Sequence, residues 1–578
     1  MSAVQTPPGR EASETPTGAT HHLCIGTYVD EEFRDLVIDE VCTAPYRRVA
    51  PSYGFDLVPV MRHAWWATHL QALPRLAIAA CVLVPLVGGQ IVSVLLSLCA
   101  LASLILLRRA CQLSVAISFD RPSLSPLSKR KKPSRARLSP EAWRGKRWEK
   151  AALQKTGMGL LTIAAAWVLL TGSFPGQALL SALLLLTVPV SAVLAGTLSQ
   201  IRINKVRESV DLRPRCISPR EKAVDAQQDH ACVVYQRPAH DNGEDDEEAV
   251  FTLFGDDSPF IGAGELIHQW NPPMSIPLLR PGSDEQPLHE REYETPPFRA
   301  HELVDYLRGS VEQLRWDQED VRLPVEVRDR VYIAETDVSI DRELLKEPVG
   351  PAAMRRIIDG QSASRHHFLE VSVPEAGSEL TATVLLQVNL QGRTLSLSFA
   401  ACVLTRTPRK FQQVNEFGQY GKGAVLRAAL RELIRLPRLV ESSPRVFRYP
   451  WVLAKALVLP SELTHSPIRN VLIGTRFSVR EHPAQEWRKV QFEKTRLLGQ
   501  IKTIERRLLR AASDFLTASD VDTSEFNNRA TQIVNSGILN LGGNNEISHS
   551  SVGSNAQTHN TALSQQPPAG STQNGSAA

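Results

Sequence analysis

Few of the features that announce chemistry are present in this chain. Its eight cysteines are spread over 578 residues, with no C-x-x-C pair and no Cys/His spacing suited to zinc, so no disulfide framework or zinc finger can be read from it. Cys81, Cys99 and Cys111 lie in or beside apolar stretches and read as buried, reduced thiols. "GQYGKG" at Gly418 to Gly423 has Glu at position 416 and no Ser or Thr after Gly-Lys, so it lacks the spacing of a phosphate loop and reads as a turn. His366 and His367 are adjacent, and in a strand they point to opposite faces and cannot share one metal. The acidic run Asp241 to Glu248, "DNGEDDEE", lacks the glycine and terminal glutamate of a calcium loop and reads as a solvated loop. The expected sets of catalytic, metal and cofactor residues are therefore all empty, and the chain is not read as an enzyme. An active site assembled from distant residues would leave no local pattern.

Basic-then-apolar layout is missing from the N-terminus, "MSAVQTPPGREASETPTGATHH", so no secretory signal is expected there. Residues 1–29 read as a disordered cytosolic leader that includes His21 and His22.

Charge is absent over two long stretches. Leu76 to Leu107 is a run of 32 uncharged residues and Thr156 to Ile201 a run of 46, each longer than the roughly 20 residues that one membrane-spanning helix needs. A water-soluble helix requires a polar face, and these have none. "PLVGGQ" at Pro85 to Gln90 and "TGSFPGQ" at Thr171 to Gln177 interrupt them, so each run reads as a helical hairpin, 75–108 and 156–201. The first is tight, with about 10 and 17 residues around its turn, and a re-entrant hairpin or one long tilted helix stays open for it.

What is abundant is positive charge beside these runs. Arg108 to Lys155 holds fourteen Lys and Arg against three acids, including "KRKKPSRAR" at Lys129 to Arg137. Arg62 and Arg75 precede the first run, and Arg202, Lys205 and Arg207 follow the second. Basic flanks belong on the cytoplasmic side, so both termini, the juxtamembrane unit 30–74 and the loop 109–155 are expected in the cytoplasm of a multi-pass protein of the cell membrane. The partner implied is the lipid bilayer; nucleic acid is disfavoured by the juxtamembrane position and the lack of interleaved aromatics.

The remainder reads as a cytosolic α+β body. Glu31 to Cys42 has helical spacing at Phe33, Leu36, Val37, Glu40 and Val41. Residues 202–324 are rich in Pro and charge and read as irregular, with a short strand at "ACVVY", Ala231 to Tyr235. Arg330 to Ile340 alternates, and His366 to Val373, Leu380 to Leu390 and Arg393 to Leu404 are strand-like runs separated by "PEAGSE" and "QGR". They predict an antiparallel meander with the middle run central, in an α+β domain at 325–480. Gly423 to Leu436 has helix periodicity and is expected to cover one face of that sheet. A long helix follows at 481–519, where Val490, Lys494, Leu497, Ile501, Ile504, Leu508, Ala511 and Phe515 form a seam. That seam suits either a coiled-coil partner or the chain's own domain.

The last segment, 520–578, is low in complexity. Between Ala530 and Ala562 the only formal charge is Glu546, and Asn, Ser and Gly dominate. Isolated apolar residues recur at Ile533, Val534, Ile538, Leu539, Leu541, Ile547 and Val552. Such a chain buries too little to fold alone, yet copies stacked in register can ladder their Asn side chains and close a dry seam. Self-association through 530–560 is the expectation, with those seven residues carrying it.

"NSGILNLGGNNEISHSSVGSN", Asn535 to Asn555, resembles the short Asn- and Gly-rich amyloid-signalling motifs of bacteria, without their Gln-centred core. The resemblance implies templating of a partner that carries a matching motif. "YRRVAPSYGFDLVPVMRHAWW" resembles the juxtamembrane region of actinobacterial multi-pass membrane proteins and implies no activity. The combined expectation is an integral membrane scaffold or signalling protein; the rival is a membrane-tethered enzyme with its site in the α+β domain.

Overall fold

The computed structural model describes residues 18–119, 140–235, 259–282, 287–316, 322–335, 342–346, 348–360, 364–374, 379–412, 416, 418–464 and 473–535. The chain opens with α1 (Gly18–Val29) and α2 (Glu31–Leu36), the latter continued by a wider turn at Val37–Cys42. Asp30 caps α2 by accepting from the backbone N–H groups of Glu32 and Phe33. The disordered leader expected at 1–29 is therefore contradicted over residues 18–29, His21 and His22 included, and residues 1–17 lie outside the described residues. Leu23, Cys24, Ile25 and Gly26 of α1 are buried, and Gly26 lies against the Phe411 ring so closely that a Cβ would overlap it. Tertiary packing, not propensity, makes this segment helical.

Four long helices follow: α3 (Leu57–Val87), α4 (Ile91–Phe119), α5 (Pro140–Ser173) and α6 (Pro175–Glu208). Each pair is a hairpin, turned at Gly88–Gln90 and at Phe174. Gly89 supplies a φ of +69° in the first turn. The first hairpin is not short, as its uncharged length suggested: α3 starts 19 residues before Leu76 and carries Arg62, His63 and Arg75. Charge does not end a helix when its side chains find partners: Arg75 pairs with Glu31, and His63 shares a hydrogen bond with the Tyr28 hydroxyl at 2.9 Å.

A short helix, α7 (Pro219–Gln228), capped by Ser218 and Glu221, leads into the sheet. Its strands are β1 (Cys232–Tyr235), β2 (Glu265–Gln269), β3 (Met274–Pro277), β4 (Glu326–Ala334), β5 (Arg365–Pro374), β6 (Thr381–Gln391) and β7 (Thr394–Leu404). The order is β1-β4-β5-β6-β7-β2, with β3 also on β7. β4 to β7 form the antiparallel meander, and β1 joins β4 in parallel. The segment 202–324, expected to be irregular apart from the strand at Ala231 to Tyr235, thus contributes β2 and β3 as well as β1.

Side chains alternate across the sheet. Val331, Ile333, Leu369, Val371, Val384, Leu386, Leu397 and Phe399 face one apolar core. It is closed by α8 (Ala300–Glu312), α9 (Pro351–Asp359), α12 (Glu493–Ala518) and α13 (Ser524–Asn535). Tyr332, Phe368, Leu385, Ala400 and Cys402 face the other way, onto Tyr53 and Phe260. There Arg330 and Glu370 form a fully buried ion pair at 2.8 Å, and Tyr53 donates to the same carboxylate at 2.7 Å. The N-terminal unit is therefore part of the domain's second layer.

Between β7 and α12 lie α10 (Lys422–Glu441) and α11 (Arg448–Val458). α10 does not cover the sheet, contrary to expectation; it lies along α6 and α4. α12 is shorter than the sequence suggested, because residues 481–492 form turns that seat the buried Trp487. Its seam is filled by the chain's own core: Leu497, Ile501, Ile504, Leu508 and Ala511 are buried there.

Candidate membrane-interface site

The four helices α3 to α6 are long and apolar enough to cross a membrane. Leu83, Val84, Leu86, Val87 and Ile91 on the first hairpin, and Leu161, Leu169, Leu179, Leu183 and Val190 on the second, are exposed in the isolated chain. Exposed apolar surface of this extent is poorly tolerated in water, which fits association with a membrane. The hairpin tips stand level: Ser93 near one tip donates to the Gln177 carbonyl near the other at 3.0 Å.

α10 accompanies α6 in the opposite direction. The Arg207 guanidinium lies 3.7 Å from the Tyr420 ring centroid, Gly196 sits where a Cβ would be 2.8 Å from Glu432 Cγ and 3.1 Å from the Ala428 carbonyl oxygen, and Val440 packs in one cluster with Val188, Ile78, Cys81 and Leu101. The small residues Ala192, Ala195 and Gly196 allow this close approach, as in helix pairs within membranes. Leu426, Leu430 and Ile434 then form an exposed apolar strip beside Arg427, Arg431, Arg435 and Arg438. α11 adds exposed Trp451, Leu457 and Val458, with Phe447 just before it.

Where α11 meets α2 and α3 there is a cavity of about 30 Å³, lined by Arg34, Arg75, Arg445, Arg448, Thr68 and Tyr449 among others. Arg34 is 1% exposed. Its Nε and Nη2 donate to Asp35 at 3.0 and 2.6 Å, whereas its Nη1 has no protein partner, and neither has the Nε of Arg75. Arg75 pairs with Glu31, and Arg448 with Asp35 and Asp39. Burial alone would raise the Glu31 carboxyl, but Arg75, Arg34 and Arg445 outweigh it and hold its pKa below the ordinary range. Four guanidinium groups thus meet three carboxylates. A buried donor left unpaired costs about 1–3 kcal/mol, more when charged, so Arg34 Nη1 favours an acceptor beside it.

Two further polar clusters lie in the body. Glu505 is buried and accepts from Trp270 Nε1 at 2.8 Å, with Lys502 Nζ 2.6 Å away and His268 Nε2 at 3.2 Å. Asp329 accepts from Arg308 at 2.7 Å and contacts His367 Nε2 at 3.0 Å. Burial would raise Asp329; His367 and Arg308 lower it. Both clusters tie helices to the sheet. Among the described residues no group of three or more His, Cys, Asp or Glu is arranged to hold a metal.

Of the seven tail residues singled out from sequence, Ile533 and Val534 lie on α13 and pack against the core. The Lys502 ammonium reaches the Ile533 carbonyl at 3.5 Å, and Arg529 donates to the Ser275 carbonyl of β3 at 2.6 Å. Ile538, Leu539, Leu541, Ile547 and Val552 lie outside the described residues. The arginine cavity was not foreseen. Its members are separated by up to about four hundred positions, and the face of Glu31 to Cys42 read as apolar omits Arg34.

Residues 269–548 match the family model described as the AbeC-like domain. That stretch runs from the end of β2 through α13 and includes α10 and α11, but none of the four apolar helices. No curated protein and no solved structure matches the chain.

Proposed function

We propose that this protein is a membrane-anchored scaffold of the signalling type, with its body and both termini in the cytoplasm, that gathers copies of itself or a partner of matching motif through the tail beyond α13. The observation that carries the reading is the docking of α13. Because Ile533 and Val534 pack against the core and the Lys502 ammonium reaches the last turn, the tail departs from a fixed point on a body joined to the four apolar helices. Tethering many such tails to one bilayer raises their effective concentration without any new contact. Both faces of the sheet are covered, one by α8, α9, α12 and α13 and the other by the segment around Tyr53, which favours a scaffold over a catalytic cleft on the sheet.

Self-association is assigned to Ile538, Leu539, Leu541, Ile547 and Val552, through cross-strand stacking. The test is the full-length protein reconstituted in vesicles, wild type against Ile538→Pro and Leu541→Pro. Proline removes a ladder donor, so dye-binding assemblies should disappear while bilayer insertion is retained. Assemblies that persist in both variants would remove the tail as the joining element.

A further inference from the structure

We propose that the cavity between α2, α3 and α11 is a binding site for a phosphate group, with Arg34 at its floor and Arg75, Arg445 and Arg448 around it. The ligand chemistry follows from the donors. Arg34 Nη1 is buried without a partner, Arg75 Nε likewise, and guanidinium forks suit the oxygens of phosphate. The carboxylates Glu31, Asp35 and Asp39 hold the arginines in place but leave one positive charge uncompensated. The half-open space of about 30 Å³ has room for about two water-sized groups. One or two phosphate oxygens therefore enter while the rest of the group stays at the rim, where the Arg445 side chain is 63% exposed.

The position within the bilayer points to the same ligand. Twelve residues separate Arg75 from Val87 at the hairpin tip, which is about 18 Å of helix, whereas a hydrocarbon core is about 30 Å thick. With the level tips placed at the far edge of that core, the cavity lies deeper than the headgroups of a flat inner leaflet. Charges at that depth demand local thinning of the bilayer or a polar companion. An anionic lipid drawn inward by its phosphate provides both. The exposed Trp451 and Phe447 beside the rim offer apolar surface against which its acyl chains would lie. The shared chemistry is phosphate, carried by an anionic phospholipid or free in solution; the lipid case also rests on the membrane placement given above.

The experiment uses full-length protein in detergent, titrated with phosphatidic acid in mixed micelles, phosphatidylcholine in the same form, or inorganic phosphate alone. Wild type is expected to bind phosphatidic acid in preference to phosphatidylcholine. Arg34→Gln and Arg445→Gln should each weaken it about tenfold or more. Saturable binding of inorganic phosphate with the same losses supports the site and assigns the free anion as its ligand. Arg445→Gln carries the test should Arg34→Gln fail to fold, because Arg445 has only a 3.8 Å contact to Glu31; its melting temperature without ligand should equal that of wild type. Binding unchanged in Arg445→Gln, or no binding of either phosphate source by wild type, overturns the proposal. Tail-driven assembly is read separately, so that result would leave the scaffold reading standing.

Discussion

Two helices of this protein look interchangeable on paper. α10 (Lys422–Glu441) and α12 (Glu493–Ala518) are both basic and both amphipathic, with apolar side chains recurring at helical spacing. α12 turns its apolar face onto the sheet and buries Leu497, Ile501, Ile504 and Leu508. α10 turns one apolar face onto α6 and α4 and leaves a second strip, Leu426, Leu430 and Ile434, uncovered by protein. Periodicity fixes that a helix has a side to hide. It does not say whether protein or lipid hides it.

The contrast can be broken most strongly in α12. Ile504→Ala empties a fully buried position and should cost about 2–5 kcal/mol in denaturant unfolding of the body. The matching change in α10, Ile434→Ala, should stay within about 0.5 kcal/mol. Equal losses at the two positions would mean that α10 is held by protein on both apolar faces.

Gly196→Val comes next. Its side chain would meet Glu432 and the Ala428 carbonyl, and overpacking of this kind costs about 1–3 kcal/mol. The expected result is selective: faster trypsin cleavage after Arg427, Arg431 and Arg435, with no change in the sheet. Uniform destabilisation would contradict the separation of the two helices into different packing units.

Acid gives a smaller effect, through Glu379. This carboxylate accepts from the Thr407 backbone N–H at 2.7 Å, pairs with His22 of α1, and bridges the membrane-proximal helices to the sheet. Burial would raise its pKa, but His22 and Thr407 bring it below the ordinary 4.5. A depressed carboxylate contributes fully above its unfolded value and loses that contribution as pH falls through the folded one. Amide exchange in α1 should therefore accelerate on acidification below about pH 4.5. Glu379→Gln should abolish that step; its survival would assign the acid sensitivity elsewhere.

The smallest expected signal is a spectral one. An environment-sensitive dye on Ile434→Cys should shift to the blue in vesicles and not in detergent-free buffer, whereas one on the exposed Arg496→Cys of α12 should be indifferent to lipid.

Local pattern carried much of this architecture. The meander β5 to β7 is written in alternating runs and turn residues, and both apolar hairpins in the absence of charge. The seam of α12 was legible, though not what fills it. Long-range choices were not legible. Nothing within "ACVVY" says that β1 will lie parallel to β4 across ninety intervening residues. Nothing within Gly18 to Val29 announces a helix, since its burial depends on Phe411 and α3. The arginine cavity is the extreme case, because Arg34 and Arg448 each look like an ordinary surface cation until α2 and α11 are placed side by side.

Tyr53 stands only four positions before α3 begins, yet its hydroxyl is locked to Glu370 in the middle of the sheet. So short a strap leaves no slack for the body to swivel about the first hairpin. A twist or tilt imposed on the first hairpin by a change in bilayer thickness would be handed directly to β4 and β5, as through a crank rather than a string. Mechanical coupling of that kind would make the body a reporter of the state of the lipid around it.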